Sequence, residues 1–386
     1  MAVRLNSKAL LSQFLRLVRI DSPSLHERSL AILLKKELKA LRARVFEDSA
    51  GSHVHGNCGN VIGIIKGTSR AFPTVMLSAH MDTVAIGVGV KPRVVKGVVT
   101  SDGTTALGAD DKSGLIVILE SLRQLRSQRV PHGDIIVAFT VGEEIGLRGA
   151  HFISKAVKRA DFGYALDGGE PRRVHVKAPS QVMLKASVIG RAAHAGVHPE
   201  KGINAIQVAG RALSKMKLGR VDFETTANIG VIHGGVATNI VPERVDMVGE
   251  ARSHNERKLR IQVSHMGKQF SQTCRRHRAR LTFTVQRAFR SFSISHEAPV
   301  VEWTQKASER LKLKVAYDST GGGSDANVFN GMGIPTVILG TGMNNVHTVR
   351  EDIAVEDMLA SIRLLTGIFS EIAGHGRKNH RAASAR

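Results

Sequence analysis

The sequence predicts an α/β domain with a buried sheet, interrupted by a smaller inserted α+β domain. Apolar strand-like runs alternate with helical patterns in the first part of the chain, which is typical of a sheet covered by helices. Near Ser180 the order becomes β-α-β-β-α-β, as in a ferredoxin-like unit, and the earlier alternation resumes after Ser291. We therefore expect one domain from residues 1–178 and 293–386 and a second from residues 179–292.

In the first part of the chain, periodic apolar residues predict helices and continuous apolar runs predict strands. Apolar residues between Ala9 and Val18 recur at helical spacing after Ser7, a candidate N-cap, which favours an ordinary first helix over a basic transit peptide. Ser24 and Glu27 form a capping-box pattern that predicts a helix to about residue 41. The further elements predicted here are strands at 60–66, 74–79, 134–140 and 163–166 and helices at 112–128 and 147–159.

The inserted part and the last part of the chain are divided in the same way. In the inserted part the predicted strands are 182–189, 227–232, 245–251 and 281–286, and the predicted helices are 203–218 and 255–274. The last part is predicted to hold a helix at 300–311, a strand at 335–339 and a helix at 355–372. After Gly374 we expect a disordered basic end, because the residues there include four Lys or Arg and no acid.

Composition narrows the classes of protein that this chain can represent. No apolar run reaches 18 of the 386 residues, which excludes a membrane span. Cys58 and Cys274 cannot form a disulfide framework and fit a reducing compartment, so we expect a cytoplasmic protein.

The excess of basic residues raises the question of nucleic-acid binding. The net charge is +22, from 55 Lys and Arg against 33 Asp and Glu. Eleven basic residues and a single acid, Glu256, lie between Arg252 and Arg290, but the chain has only two Tyr and one Trp to stack on bases. We expect no nucleic-acid partner. Steering of acidic peptides and adaptation to a basic cellular proteome both remain open as explanations.

Acidic and histidine residues lie next to the predicted strands of the α/β domain. They follow the runs TVMLSA, DIIVAFT, GYAL and PTVIL, or precede the helix at 112–128. In open α/β sheets, sites form beyond the carboxyl ends of the strands, so these residues should meet at one edge. The set is His80, Asp82, Asp110, Asp111, Glu143, Glu144, Asp167 and His347.

Such a set suits a pair of divalent metal ions. Imidazole and carboxylate ligands without thiolate favour zinc, with cobalt or manganese as alternatives. Because Glu143 and Glu144 are neighbours, their side chains point in different directions, and one can bind metal while the other stays free as a base. Asp82, two residues from His80, can orient that imidazole.

Five ordered strings carry a family resemblance. SAHMDTV, LGADDKSG, TVGEEIG, YALDGG and NNVHT resemble the co-catalytic di-zinc exopeptidases, which include peptidase T, glutamate-releasing carboxypeptidases, aminoacylases and carnosinases. The likeness runs from about Asp21 to Ile372. LGADDKSG and GGGSDANVFNGMGIPTVILG are most similar to the peptidase T branch, although Val141-Gly142 replaces the Pro-Asp of that branch. The resemblance implies a zinc-binding α/β domain and an inserted lid used for dimerisation.

The resemblance also implies a role for each site residue in the α/β domain. His80 and Asp167 would hold one metal ion, and Glu144 and His347 the other. Asp110 would bridge the two ions. Asp82 would orient the first histidine, and Glu143 would be the general base. These assignments are carried by the matching strings alone.

In the predicted lid, the resemblance implies contacts with the substrate. His194, in GRAAHAGVHPEKGINAI, matches a histidine that stabilises the oxyanion in the neighbouring subunit of dimeric members. Asn239, in GGVATNIVPE, and Arg252, in GEARS, resemble residues that grip the substrate carbonyl and carboxylate. Outside the predicted lid, Gly322 and Gly323 either let the backbone approach the substrate or form a flexible turn.

Together these features predict a homodimeric, cytoplasmic aminopeptidase of peptidase T type that acts on short peptides with two divalent metal ions. A carboxypeptidase or an N-acyl-amino-acid amidohydrolase with the same metal site remains an alternative. A second alternative, from a different class, is an inactive metal-bearing interaction or nucleic-acid-binding protein. An intact Glu143 argues against that class, because a binding protein needs no free carboxylate beside a metal.

Overall fold

The computed structural model describes the backbone of residues 6–384 and the side chains of residues 6–375. The chain divides into two compact units. The first is drawn from Met1–Lys177, Ser293–Ser319 and Ser324–Arg386, and the second from Ala178–Phe292 and Thr320–Gly323. Residues 320–323, which the sequence assigns to the α/β domain, thus belong to the second unit.

Both units of the described chain contain strands and helices. In chain order the strands are β1 (Arg44–Glu47), β2 (Val61–Ile65), β3 (Val75–His80), β4 (Arg93–Val95), β5 (Val98–Thr100), β6 (Ile135–Thr140), β7 (Phe162–Gly168), β8 (Arg173–Ala178), β9 (Ser180–Ile189), β10 (Gly219–Asp222), β11 (Thr225–Gly234), β12 (Arg244–Ser253), β13 (Arg280–Phe289), β14 (Phe292–Ser293), β15 (Ala316–Ser319), β16 (Thr336–Gly340), β17 (Met343–Asn344) and β18 (Asp352–Ala354). The helices are α1 (Ser7–Val18), α2 (Arg28–Ala40), α3 (Ala50–Val54), α4 (Ala109–Ser127), α5 (Arg148–His151), α6 (Ala205–Leu213), α7 (Glu256–Arg276), α8 (Pro299–Arg310), α9 (Asp325–Gly331) and α10 (Val355–Ser384).

A nine-stranded mixed sheet forms the centre of the first unit. Its order is β1-β2-β6-β3-β7-β16-β8-β14, and β15 pairs with β8. The four neighbours β6, β3, β7 and β16 run parallel, with His80 opposite Thr140 at the end of β3. Every residue of β3, β6 and β16 is buried, as expected for parallel strands covered on both faces. The carboxyl ends of these four strands therefore meet at one edge of the sheet.

Helix α4 is the central helix of the first unit and packs against β3 and β7. Its segment from Leu115 to Leu119 is buried on all sides, which explains why its apolar residues do not form a single stripe. The helices α1 and α10 also contact α4. A separate four-stranded sheet, of order β17-β18-β5-β4, lies in the same unit and was not predicted, because its strands are only two or three residues long.

Several predicted details of the first unit are wrong. The N-cap of α1 is Asn6, not Ser7. The Ser24–Glu27 pattern is not a capping box, because the Ser24 hydroxyl donates to Asp82 and Glu27 has no capping bond. The single helix predicted at 147–159 is instead the short α5 followed by a 3-10 turn at 155–159. The backbone from Gly374 to Ser384, predicted to be disordered, continues α10; residues 385 and 386 lie outside the described part.

The second unit is a five-stranded antiparallel sheet of order β10-β11-β12-β9-β13. Four of its strands and the helices α6 and α7 have the order and pairing of a ferredoxin-like fold, to which β10 adds an edge strand. The core between sheet and helices includes Val188, Met247 and Phe270. The predicted fold class, an α/β domain with an inserted ferredoxin-like domain, is confirmed.

Candidate metal centre

The carboxyl ends of the four parallel strands supply most of the site. His80 is the last residue of β3, and Asp167 lies near the end of β7. Glu143 and Glu144 follow the end of β6, and His347 follows β16. Because these strands are parallel neighbours, residues far apart in the sequence reach one edge of the sheet.

Asp110 joins this group from the first turn of α4, with one carboxylate oxygen facing each histidine. Its Oδ1 lies 3.0 Å from His80 Nε2, and its Oδ2 lies 3.2 Å from His347 Nε2. His347 Nε2 is also 2.9 Å from the Glu144 carboxylate, and His80 Nε2 is 3.8 Å from Asp167 Oδ1. The five residues that the sequence predicts as metal ligands thus lie together, with Asp110 between the two imidazoles.

The acidic groups of the site are largely buried, and burial shifts most of their pKa values upward. Burial raises the pKa of Asp167 to about 8, although His80 opposes the change. Burial raises the pKa of Glu143 well above its ordinary value and also raises the pKa of Glu144. Burial acts on Asp110 in the same sense, but hydrogen bonds from His347 and His80 outweigh it and hold that pKa below its ordinary value. The cluster is therefore short of positive charge.

This deficit and the donor set fit divalent cations. Within the described residues, ligand atoms of His80, Asp110 and Glu144 lie within 4.8 Å of one another, and so do those of His80, Asp111 and Asp167. His80 Nδ1 lies 2.9 Å from the backbone oxygen of Asp82, which can only accept, so this nitrogen carries the proton. The lone pair of His80 Nε2 is then left for a metal ion.

The Asp82 carboxylate holds the turn that carries the two glutamates. Its Oδ1 accepts from the backbone N–H of Glu143 at 2.9 Å, and its Oδ2 accepts from that of Glu144 at 3.1 Å. The same Oδ2 accepts from the Ser24 hydroxyl at 2.6 Å. The carboxylate lies farther from His80, with Oδ1 3.5 Å from Nδ1. Asp82 therefore contacts the imidazole mainly through its backbone oxygen, while its side chain fixes the glutamate turn.

Sequence reasoning missed several buried acids around this centre. Asp111 accepts from the backbone N–H groups of His80 at 3.1 Å and Gly114 at 3.0 Å. Glu27 accepts from Gly142 at 3.0 Å, and burial raises its pKa to about 7. Asp111 was noted beside Asp110 but given no role. Glu27 was misread as part of a helix cap.

Two further buried acids, Asp325 and Glu351, were also missed. Asp325 accepts from the Thr140 hydroxyl at the end of β6, and burial raises its pKa to about 6. Glu351 accepts from backbone N–H groups beside Asp110. The string SDAN that contains Asp325 lies in the peptidase T-like segment and was the available signal. Glu351 had none beyond its position four residues after His347.

His194 and Asn239 belong to the second unit and lie on adjacent extended segments. His194 and Ile240 form an isolated antiparallel β-bridge, and the backbone oxygen of Asn239 accepts from the N–H of Ala195 at 2.9 Å. His194 Nδ1 accepts from the backbone N–H groups of Gly196 and Val197 at 3.2 and 3.1 Å. Because Nδ1 accepts, the proton of the neutral ring lies on Nε2, which makes this exposed nitrogen a hydrogen-bond donor.

The other predicted substrate contacts also lie in the second unit. Arg252, on β12, is paired with Glu250 through its Nε and Nη2 groups at 2.9 and 3.1 Å. Gly322 donates its N–H to the Thr320 hydroxyl at 3.0 Å. A Cβ on Gly323 would lie 2.1 Å from Cζ of Phe289, so ring packing already requires glycine at that position.

Among the described residues, no helix combines the length and the apolar character needed to span a membrane. This agrees with the sequence, which contains no long apolar run.

Comparison with known proteins agrees with this geometry. Residues 76–371 match the family described as peptidase family M20/M25/M40. A Bacillus subtilis (strain 168) protein, described as uncharacterized protein YqjE, is 41% identical over 369 residues, which cover 95% of this chain and 99% of that protein.

Two solved structures extend the similarity to three dimensions. The aminopeptidase PepT of Bacillus cereus ATCC 10987 is 40% identical with a TM-score of 0.86. A tripeptidase of Staphylococcus aureus subsp. aureus Mu50 is 40% identical with a TM-score of 0.90. In both cases the match covers 96% of this chain and 99% of the other.

Proposed function

Because this chain belongs to peptidase family M20/M25/M40 and is a peptidase, we propose that it is a two-metal aminopeptidase acting on short, unblocked peptides. The observation that carries the proposal is the position of Asp110, whose two oxygens each face a histidine Nε2, with acidic groups on either side. The names of the two similar structures, an aminopeptidase and a tripeptidase, support the choice of substrate.

We propose that His80 and Asp167 hold one divalent ion, Glu144 and His347 hold the other, and Asp110 contacts both. Zinc fits this imidazole and carboxylate set best, with cobalt or manganese as alternatives. Ions bound there would lower the pKa of a coordinated water and polarise the scissile carbonyl.

Glu143 is the general base in this proposal. Its backbone N–H donates to Asp82, and burial raises the pKa of its side chain, with a smaller contribution from acidic neighbours. A carboxylate with a raised pKa takes a proton from the attacking water and can return it to the nitrogen of the leaving amine. The neighbouring Glu144 faces His347 instead, so the two glutamates of the turn divide their roles.

In the second unit, we propose that His194 donates from Nε2 to the developing oxyanion, a contribution commonly worth about 3–4 kcal/mol per donor. Asn239 lies on the segment beside it and is proposed to bind the substrate carbonyl. Arg252 is proposed to bind the substrate carboxylate with the edge of its guanidinium that Glu250 does not use. Gly322 is proposed as a point of close approach. Gly323 is also proposed as a point of close approach to the substrate, although packing against the Phe289 ring gives a second reason for glycine at this position.

We propose that the second unit is the lid and joins two copies of the chain. In the described part of the chain, strand β10 pairs only with Thr225–Ala227 at the start of β11. Within the described residues, the rest of β11 pairs on one side only, with β12. The exposed side chains of Val231, Ile232 and Val236 lie on or just after this open edge, which fits a second copy better than solvent. Sedimentation velocity tests this proposal, which predicts a dimer.

The proposed compartment is the cytoplasm. Both cysteines, Cys58 and Cys274, are buried and unpaired, and burial raises the pKa of Cys58 to about 12, which leaves an unreactive thiol. Fractionation of the source cells tests this assignment.

The central experiment compares the wild type with Glu143→Gln. Purified wild-type protein should hold two metal ions and release the N-terminal residue from free tripeptides. The variant should retain both ions and lose turnover by several orders of magnitude, because the side chain keeps its size but can no longer accept a proton. Full turnover in the variant would exclude Glu143 as the base.

Substrates distinguish the proposed aminopeptidase from its alternatives. Tripeptides with a free amino group should be cleaved, whereas N-acylated amino acids and peptides with a blocked N-terminus should not. Cleavage of N-acylated amino acids would indicate an amidohydrolase, and release of the C-terminal residue would indicate a carboxypeptidase.

A further inference from the structure

Glu351 is a buried acid that contacts the segment carrying Asp110. Its side chain is 1% exposed. Oε1 accepts from the backbone N–H of Asp110 at 2.9 Å, and Oε2 accepts from that of Gly108 at 2.8 Å. A carboxylate that accepts two backbone N–H groups at once fixes both the position and the direction of the segment that donates them.

The same residue lies on the segment that supplies His347. The backbone N–H of Glu351 donates to the oxygen of Thr348 at 3.2 Å, which closes a turn directly after His347. His347 itself has a positive φ of 62°, a conformation that is sparsely populated for residues other than glycine and needs support from its surroundings. Glu351 thus links two segments that are 241 residues apart in the sequence and that place His347 Nε2 3.2 Å from Asp110 Oδ2.

A buried cation accompanies this carboxylate. Lys112 is fully buried and donates from Nζ to the backbone oxygen of Ile20 at 2.7 Å. Burial lowers the pKa of Lys112 to about 8, and the negative charges of Asp21 and Glu351 oppose that change. Burial raises the pKa of Glu351, and the hydrogen bonds from the backbone of Asp110 and Gly108 oppose that change.

We propose that Glu351 is a positioning residue that sets the separation of Asp110 and His347 and thereby the affinity for the metal ion that His347 holds. This inference rests on the proposed function, because it assumes that the two residues are metal ligands. In this proposal Glu351 has no direct contact with the substrate or the ions. It acts through the backbone of Asp110.

The informative substitution is Glu351→Gln, which keeps the size of the side chain. The amide oxygen can still accept one N–H, but the amide NH2 then meets the other N–H donor and must turn away. The 108–110 segment loses one of its two anchors, while the ligand side chains themselves are unchanged. A matched control is Asp134→Asn. Asp134 also accepts from a backbone N–H, that of Gly67 at 2.9 Å, but precedes β6, at the end of the strand remote from the site.

The experiment measures zinc binding in a metal buffer, together with thermal unfolding in chelator and steady-state peptide hydrolysis. In Glu351→Gln we expect one ion to bind as in the wild type and the other to bind at least tenfold more weakly. With free zinc near the wild-type Kd of this second site, kcat should fall about fivefold or more with little change in KM. Asp134→Asn should lower the unfolding temperature and leave both zinc affinities unchanged.

Two results would overturn the inference. The first is that Glu351→Gln binds both ions as tightly as the wild type. The second is that its zinc affinity falls no further than that of Asp134→Asn at equal loss of thermal stability, which would make Glu351 a structural residue. A wild type that binds no metal would instead refute the proposed function. If Glu351→Gln does not fold, Glu351→Asp keeps the charge but is too short for both N–H groups, and the same readouts apply with the same outcomes.

Discussion

Alanine substitutions at Gly321, Gly322 and Gly323 test whether packing or substrate contact requires glycine in the 320–323 loop. An ideal Cβ would meet nothing within 4 Å at Gly321 and only the Thr320 hydroxyl at 3.6 Å at Gly322. At Gly323 it would lie 2.1 Å from Cζ of Phe289 and 2.7 Å from both Cε atoms. None of the three has a positive φ, so alanine is strained only where the ring stands in the way.

The expected cost follows from these distances. Carbon atoms in contact normally lie about 3.5–4.0 Å apart, so the Phe289 ring must retreat by about 1.4 Å in Gly323→Ala. Overpacking of this kind lowers the free energy of unfolding by about 1–3 kcal/mol. Gly321→Ala should instead be neutral or stabilise by up to about 1 kcal/mol, because alanine reduces the freedom of the unfolded chain. With a slope of about 2 kcal/mol per molar urea, a cost of about 2 kcal/mol lowers the unfolding midpoint by about 1 M.

The assay is urea unfolding followed by circular dichroism, with tripeptide hydrolysis measured in parallel. Phe289→Leu in the Gly323→Ala background should reverse most of the decrease in the urea midpoint, because the smaller side chain leaves room for the methyl group. Equal midpoints for Gly321→Ala and Gly323→Ala would refute the packing explanation. A raised KM in Gly322→Ala at an unchanged midpoint would support the predicted approach of the substrate to this loop.

The remaining predictions concern the metal centre and the lid. Chelation should abolish hydrolysis and lower the unfolding temperature. Zinc at a hundredfold excess over its Kd should then raise the free energy of unfolding by about 2.7 kcal/mol per site. Activity that survives exhaustive chelation would contradict the proposed function. Asp82→Asn places an amide NH2 against the N–H of Glu143 or Glu144. Losing one such hydrogen bond, worth about 1.5–3 kcal/mol, should lower kcat by roughly 10- to 100-fold in steady-state assays. An unchanged kcat would show that the glutamate turn keeps its position without this hydrogen bond. His194→Ala should lower kcat by about 10²–10³-fold without loss of bound metal, as measured by elemental analysis; an unchanged kcat would remove His194 from the reaction.

The clustering of the proposed ligand residues could be predicted because most of them lie next to a recognisable strand. His80 is the last residue of a fully buried strand, and Asp167 is the next-to-last residue of a second strand. Once the strands are parallel neighbours, geometry alone brings their carboxyl ends together. The sequence cannot specify the atoms in contact. The carboxylate of Asp82 accepts from two backbone N–H groups, and every residue type except proline offers such a group, so no sequence pattern predicts these contacts.

The residues that escaped prediction are those whose role depends on distant contacts. Glu351 lies in TVRED, a charged string typical of an exposed turn, yet it is buried against Gly108. The helix predicted at 147–159 fails for a similar reason. Gly149 lies so close to Val141 that a Cβ would come within 2.0 Å of its backbone oxygen, and tertiary packing at that point outweighs the local helical pattern.

The order of the parallel strands has a consequence for synthesis of the protein on the ribosome. His80, Asp110 and Glu144 have all been made by the time the second unit is translated, but β16 and the segment ending at Glu351 come more than 80 residues after β12. Until then Asp110 has no second imidazole beside it and no acid holding its backbone. The nascent chain therefore cannot assemble the complete residue cluster until the segment from His347 to Glu351 has been made.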